Sequence, residues 1–293
     1  MPNYEFNTDC WMKVGKLHPV CDDYTLVQST PENICAIVAD GCSSVPFTGE
    51  GSRILARSAL KHINDFGTPT YGEQVLATAL AACQLIQLPE MSLCCTLIVA
   101  KVVNNKVKIT MYGDGAVIGK LRNQEKWKVC TNHFRKRVSG EPQPYYLFYE
   151  NDIRHRSDWQ DTTDVIAEDF FISNEGEKLD TIETPIQWEP GLYNFTFDLE
   201  KYEWVGLVSD GIFSFDKKVQ SSTSTNRESV DVGKIIHSLV SFKRLRGEFV
   251  QQRCKRACKT LGDEGCENID DFSMAVISAV EKESENESGS PEN

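Results

Sequence analysis

Apolar positions along the chain fall into short continuous runs and helical stripes, separated by polar turns. Residues 33–39 are almost continuously apolar, which predicts a strand buried on both faces. A shorter strand is predicted at 24–28, after a short polar opening segment. Over 50–66, Ile54, Leu55, Ala59, Ile63 and Phe66 recur at helical spacing, and Gly67-Thr68-Pro69 ends the stripe. Residues 72–88 are rich in Ala and Leu and stop at Pro89, a second helix. The stretches 93–103, 106–112 and 116–121 read as successive strands, with Asn104-Asn105 turning between the first two.

From 122 to 200, aromatic residues, prolines and charges break the periodicity. Only short strand-like pieces such as 145–149 stand out there. Beyond it, 204–209 is a buried-strand pattern and 221–228 a polar loop. Helices are predicted at 231–242 and 248–261, and a last strand at 272–280. The final stretch, 281–293, has five Glu and no apolar residue, which predicts a disordered acidic tail. Strands flanked by paired helices, without strict βαβ alternation, predict a mixed sandwich rather than a Rossmann fold. No repeat or composition break divides residues 1–280, so one domain is expected, with a variable insert over 133–200.

Charge and cysteine content narrow the function. The net charge of −12 argues against a nucleic-acid partner and against a polybasic membrane anchor. No apolar run is long enough to span a bilayer. Eleven cysteines without a secretory leader point to reduced thiols in a cytoplasmic protein. Cys35, Cys83, Cys94 and Cys95 lie in apolar runs and read as core residues. Cys254 and Cys258, with Cys266 beyond them, lack the second pair that a zinc site needs.

Acidic residues recur at the edges of apolar runs. These points are Asp22-Asp23, Asp40-Gly41, Asp114-Gly115, Asp210-Gly211 and Asp270-Asp271. Asp-Gly is also a common hairpin turn, so each pair alone says little. A strand end, however, holds a short carboxylate rigidly, and Gly lets the backbone turn sharply beside it. Several such ends at one edge of a sandwich would form a cup of mutually repelling carboxylates. Hard divalent ions such as Mg²⁺ or Mn²⁺ relieve that repulsion, and no His/Cys cluster offers a softer site. Two such ions can share a carboxylate and activate a bridging water for in-line attack on a phosphoryl group.

The order of the pieces Val20-Cys21-Asp22-Asp23-Tyr24, Ile37-Val38-Ala39-Asp40-Gly41, Cys95-Thr96-Leu97, Tyr112-Gly113-Asp114-Gly115, Val208-Ser209-Asp210-Gly211 and Asp270-Asp271-Phe272-Ser273-Met274 resembles the type 2C (PPM) metal-dependent protein phosphatases, in a divergent bacterial-like branch. The resemblance implies an α+β, four-layer α-β-β-α sandwich with two central antiparallel sheets flanked by helices. It implies hydrolysis of phosphoserine and phosphothreonine through a metal-bridging hydroxide, with two Mn²⁺ or Mg²⁺ ions and a third, weaker one. Asp40 matches the bridging ligand, and Gly41 offers its carbonyl. Asp210 and Asp270 match ligands of the second ion. Asp22 matches an acidic position that binds metal-bound water, with Asp23 beside it as a further metal-side carboxylate. Asp114 matches the position tied to the third ion. The implied partners are a phosphorylated protein and a Ser/Thr kinase encoded alongside.

Three departures from the family stand out. Cys42 replaces the His that follows the bridging Asp-Gly in many members. The phosphate-binding Arg is missing, and His18 falls near its place with Lys13 and Lys16 close by. Asp271 replaces Asn. These departures keep an alternative open, a catalytically weak or inactive pseudophosphatase that binds phosphoproteins. A calcium-binding sandwich lacks any EF-hand spacing. His62 reads as structural, and His133, His155 and His237 have no motif partner. The basic run 134–137 is either a solvated loop or a phosphopeptide dock. Helix-dipole compensation accounts for Lys243-Arg244-Leu245-Arg246 at the sequence level.

Overall fold

A computed structural model describes residues 4–67, 72–136, 144–186, 193–220 and 225–282. Two antiparallel sheets stack at its centre. The larger has seven strands in the order β1 (Tyr4–Lys13), β15 (Phe272–Glu281), β11 (Tyr202–Val208), β6 (Ala116–Leu121), β7 (Lys126–Lys136), β8 (Thr163–Ser173) and β9 (Lys178–Ile186). The second has five, in the order β10 (Tyr193–Asp198), β5 (Lys106–Tyr112), β4 (Leu97–Val103), β3 (Ile34–Ala39) and β2 (Tyr24–Ser29). A small third sheet joins β13 (Thr225–Ser229), β12 (Phe215–Gln220) and β14 (Cys266–Asn268).

Burial on both faces explains the continuous apolar runs. Along β3, Cys35, Ile37 and Ala39 face the helices α1 (Thr48–Phe66) and α2 (Gly72–Ile86), where Leu55, Ile63, Val75 and Ala79 meet them. Ala36 and Val38 point the other way, into the space between the sheets, with Ile98, Ile109, Val205 and Ile277. The outer face of the large sheet packs Ile118, Val129, Met274 and Val276 against α4 (Val232–Val240) and α5 (Phe249–Asp263) through Ile236, Leu239 and Val250. Each such buried Leu, Ile or Val contributes about 1.5–3 kcal/mol. The layers therefore run helix, sheet, sheet, helix. A fifth helix, α3 (Ile153–Thr162), leads into β8 and starts on an Asp152 side chain that accepts from Arg154 N and His155 N.

Several local readings need correction. The polar opening segment is the edge strand β1, paired with β15 over its whole length. Its residues are mostly half-buried, so no apolar run marks it. Residues 145–149 do not form a strand. Tyr145, Tyr146 and Tyr149 stack edge to face around a 3₁₀ turn at Leu147–Asn151, and ring packing overrides β-propensity. Part of the polar loop 221–228 is strand β13. The 122–200 region contributes long strands, with β7 and β8 paired across eleven residues each. Asn104 and Asn105 both take φ near +55° (50° and 58°), the left-handed pair a tight hairpin turn needs. Cys254 and Cys266 are packed in the core and Cys258 lies against it, so they read as apolar filling. The side chains of His133, Arg135 and Lys136, residue 137 and the tail from 283 onward lie outside the described residues.

Candidate active site

Strand register brings the acidic residues to one end of the sandwich. In the hairpin of β2 and β3, Tyr24 pairs with Ala39, so Asp23 and Asp40 leave the same end side by side. Asp114 sits where the chain crosses from β5, ending at Tyr112, to β6, starting at Ala116. In the large sheet Val208 of β11 pairs with Met274 of β15, which sets Asp210 beside Asp270-Asp271. Ser209 N donates to Ser273 O at 3.1 Å, and Ser273 N donates to Ser209 Oγ at 2.9 Å, locking these two ends together. Backbone turns are tight: a Cβ on Gly211 would lie 1.7 Å from Asp271 O. Gly113 takes φ 91° against Thr96, a conformation that disfavours side chains.

Asp40 is the centre of the cluster. Its carboxyl lies beside those of Asp23 and Asp210. Burial, and then the charges of Asp23 and Asp210, push its pKa well above the ordinary carboxylate range. Burial likewise raises Asp210, with Asp270 adding to the shift. Asp114 is raised by burial first and then by Asp210 and Asp270. Asp23 is 1% exposed and raised chiefly by burial. The hydroxyls of Ser209 and Ser273 approach it, yet neither carboxylate oxygen has a partner in hydrogen-bonding geometry. Two buried, unpartnered oxygens beside further carboxylates are costly on their own and fit a divalent cation.

The remaining sequence candidates separate from this core. Asp22 turns toward the start of α1, where its carboxylate lies against Gly49, and Ser52 Oγ donates to Asp22 O at 2.7 Å. His18 lies at the rim, with Nε2 3.3 Å from Asp270 Oδ1 and Nδ1 3.2 Å from Asp271 Oδ2. Burial lowers the His18 pKa, but Asp271, Asp270 and Asp22 outweigh it and the net shift is upward. Among the described residues, His18, Asp22 and Asp271 form a trio with ligand atoms within 4.8 Å of one another. Asp271 is already committed, because its Oδ1 accepts from Gly15 N at 2.7 Å and its Oδ2 from Asp22 N at 2.6 Å. Asp271 thereby holds the 14–22 loop. Lys13 and Lys16 are engaged by Asn268 and Glu267. Gly41 forms a bridge with Cys95, and Thr96 N donates to Asp40 O at 2.8 Å, fixing the turn that carries them.

The structure adds one residue to the wall of the site. Tyr146 is buried next to Cys42 and within the field of Asp114; burial first, then Cys42 and Asp114, raise its pKa. Cys42 contacts Ser44 Oγ at 3.1 Å. Tyr146 lies in the aromatic stretch whose turn the sequence pattern does not reveal.

The family model described as Protein phosphatase 2C matches residues 18–228, more than half of the chain. The chain belongs to the protein phosphatase 2C family. The match takes in Asp22, Asp23, Asp40, Asp114 and Asp210; the sheet register adds Asp270 to the same end. Among solved structures, a bacterial serine phosphatase is similar over 95% of this chain and 99% of its own, at 12% identity and a TM-score of 0.51. The PP2C phosphatase domain with a regulatory-domain fragment of the cell fate determinant SpoIIE from Bacillus subtilis is similar over 97% of this chain and 66% of its own, at 13% identity and a TM-score of 0.50. At these identities the likeness is one of fold. No curated protein matches the sequence. Among the described residues, no helix is long and apolar enough to cross a membrane.

Proposed function

We propose that this protein phosphatase 2C family member hydrolyses phosphoserine and phosphothreonine in proteins, with two Mn²⁺ or Mg²⁺ ions held by Asp23, Asp40, Asp210, Asp270 and the Gly41 carbonyl. Asp114 would serve a third, weaker ion. The observation that carries this reading is the meeting of Asp40 with Asp23 and Asp210, together with the unpartnered buried oxygens of Asp23. When bound, the ions would lower the pKa of water and draw charge from the phosphoryl oxygens.

The side chains have their own parts. Asp40, between two other carboxylates, concentrates negative charge that divalent cations or protons relieve. His18, with its raised pKa, places partial positive charge at the rim where a phosphoryl group would enter. Asp270 and Asp271 orient its ring. Tyr146 keeps its proton under burial and stands against Cys42, the position where many relatives carry His. The substrate, a phosphorylated protein, and an opposing Ser/Thr kinase follow from the same reading.

The test is Mn²⁺-dependent release of phosphate from a phosphoserine peptide and from p-nitrophenyl phosphate by the full chain. Ion-dependent stabilisation of the transition state is worth several kcal/mol, so EDTA should remove activity by about a thousandfold or more. Turnover that survives EDTA overturns the reading. Binding of the phosphopeptide without turnover in Mn²⁺ supports the pseudophosphatase instead, the reading that Cys42 in place of His favours.

A further inference from the structure

The segment after α4 carries positive charge that helix electrostatics does not explain. α4 ends at Val240, and Ser241 N donates to His237 O at 3.2 Å to close it. Lys243, Arg244 and Arg246 therefore lie past the last turn, where a helix dipole attracts cations only locally. They precede the N-terminus of α5, where cations are disfavoured. That N-terminus is already satisfied, since Asp9 Oδ2 accepts from Val250 N at 2.6 Å and from Gln251 N at 3.0 Å. The dipole reading of the Lys243-Arg244-Leu245-Arg246 run fails.

Two depressions border this loop, and a third lies beyond them along α5. One, of about 380 Å³, is lined by Lys243, Arg244, Arg246, Arg253 and Arg256, with Glu248 as the lone carboxylate among its lining residues. A second, of about 630 Å³, shares the first three of these and adds Glu203 and Val280. A third, of about 150 Å³, continues along α5 past Arg253 and Arg256 to Glu264. Of the five cations, Arg246 pairs with Glu5 at 2.7 Å; among the described residues no carboxylate pairs with the other four. Arg253 Nε is buried without a hydrogen-bond partner. Such a cationic concavity in a chain of net charge −12 draws anions locally and is repulsive within itself until one arrives.

The chemistry favours phosphate. Four of the five cations are arginines, whose planar guanidinium matches phosphate oxygens in pairs. The depressions together are too large for a single ion and have room for a peptide segment. Their position separates them from the carboxylates. β15 starts next to Asp270-Asp271, and the second depression touches Val280, eight residues along it. Those eight steps span about 27 Å.

We propose that this cleft is a second anion site, distinct from the carboxylate cup, which docks a phosphorylated segment of the protein substrate. Docking there would raise the local concentration of other phosphoryl groups on the same substrate at the cup. The ligand's role as substrate rests on the phosphatase reading; the cleft's affinity for phosphate does not.

The test uses the full chain in EDTA, so that only binding is read. The probe is a fluorescein-labelled peptide with two phosphoserines, followed by fluorescence anisotropy. Saturable binding is expected, weakening as salt rises. Lys243→Glu with Arg244→Glu, both on the exposed loop, should weaken it by at least about tenfold. Arg253→Gln should weaken it in the same direction. Lys106→Glu with Lys108→Glu, the same charge change on β5, should leave it within about twofold. The unphosphorylated peptide should bind at least about tenfold more weakly. No saturable binding, equal loss in both double variants, or equal binding of the unphosphorylated peptide overturns the proposal. Turnover of p-nitrophenyl phosphate in Mn²⁺ separates the two ideas. A chain that binds the peptide through Lys243 and Arg244 but shows no turnover keeps the cleft and loses the phosphatase reading. Turnover without binding does the reverse.

Discussion

Asp40→Asn separates an ion-holding cup from a merely structural one, because the two give opposite signs for stability. Asp40 reaches both Asp23 and Asp210. Two like charges 4 Å apart repel by about 4 kcal/mol at an effective dielectric of 20. Proton uptake by the cluster relieves part of this, which leaves a penalty of about 1–2 kcal/mol in the ion-free protein at neutral pH. The amide keeps the carboxyl shape, removes one charge and offers two N–H groups to its acidic neighbours. In EDTA the variant should therefore melt about 2–8 °C higher than the parent. In Mn²⁺ at a hundred times the dissociation constant, the parent gains about 2.7 kcal/mol and the variant little, so the order reverses. Thermal melts with and without Mn²⁺, paired with p-nitrophenyl phosphate turnover, read both effects. A variant that melts lower than the parent in EDTA, yet responds to Mn²⁺ as the parent does, refutes the reasoning.

Four further outcomes are expected. The raised pKa values of Asp23, Asp40, Asp114 and Asp210 mean that the folded state holds protons that the unfolded state has released. Their contribution to stability is full below about pH 4 and is lost as pH rises into the neutral range, so melts in EDTA should fall over that window more steeply for the parent than for Asp40→Asn. Asp271→Asn leaves one of the Gly15 and Asp22 N–H groups without its acceptor and should cost about 1–3 kcal/mol in urea unfolding; an unchanged midpoint counts against the clamp. Gly211→Ala drives a Cβ into Asp271 O and should cost about 1–3 kcal/mol while weakening the Mn²⁺ response, read by melts with and without the ion. Tyr146→Phe removes a buried hydroxyl that holds its proton at neutral pH, so it should cost about 1–2 kcal/mol in urea unfolding and leave the pH profile of p-nitrophenyl phosphate turnover unchanged; a lost limb of that profile counts against this reading.

The parts of the fold legible in the sequence are those where burial follows one simple rule. β3, β4 and β15 are covered on both faces, so their residues form unbroken apolar runs, and α1 shows its stripe because only one face meets β3. β1 is not legible, because a half-buried edge strand needs no apolar run and draws its order from β15. The 3₁₀ turn after Tyr146 is hidden for a different reason: its shape comes from rings packing edge to face, which leaves no periodicity. In the candidate site, strand-end position picks out all the carboxylates, but it cannot say which way each one turns. Asp23 faces Asp40, whereas its neighbour Asp22 faces Gly49 and the α1 end, a choice made by the α1 backbone and the Asp271 clamp. His18 follows the same pattern, since its carboxylate contacts come from the far end of the chain. The role of the basic loop after Val240 is not legible from the helical stripe, because the end of α4 decides whether a dipole can reach it.

The most direct measurement is an anomalous difference map from crystals of the full chain soaked in Mn²⁺. Two strong peaks are expected against Asp40, one toward Asp210 and Asp270. A map with no peak at Asp40, or with its sole peak among His18, Asp22 and Asp271, contradicts the cup that the phosphatase reading depends on.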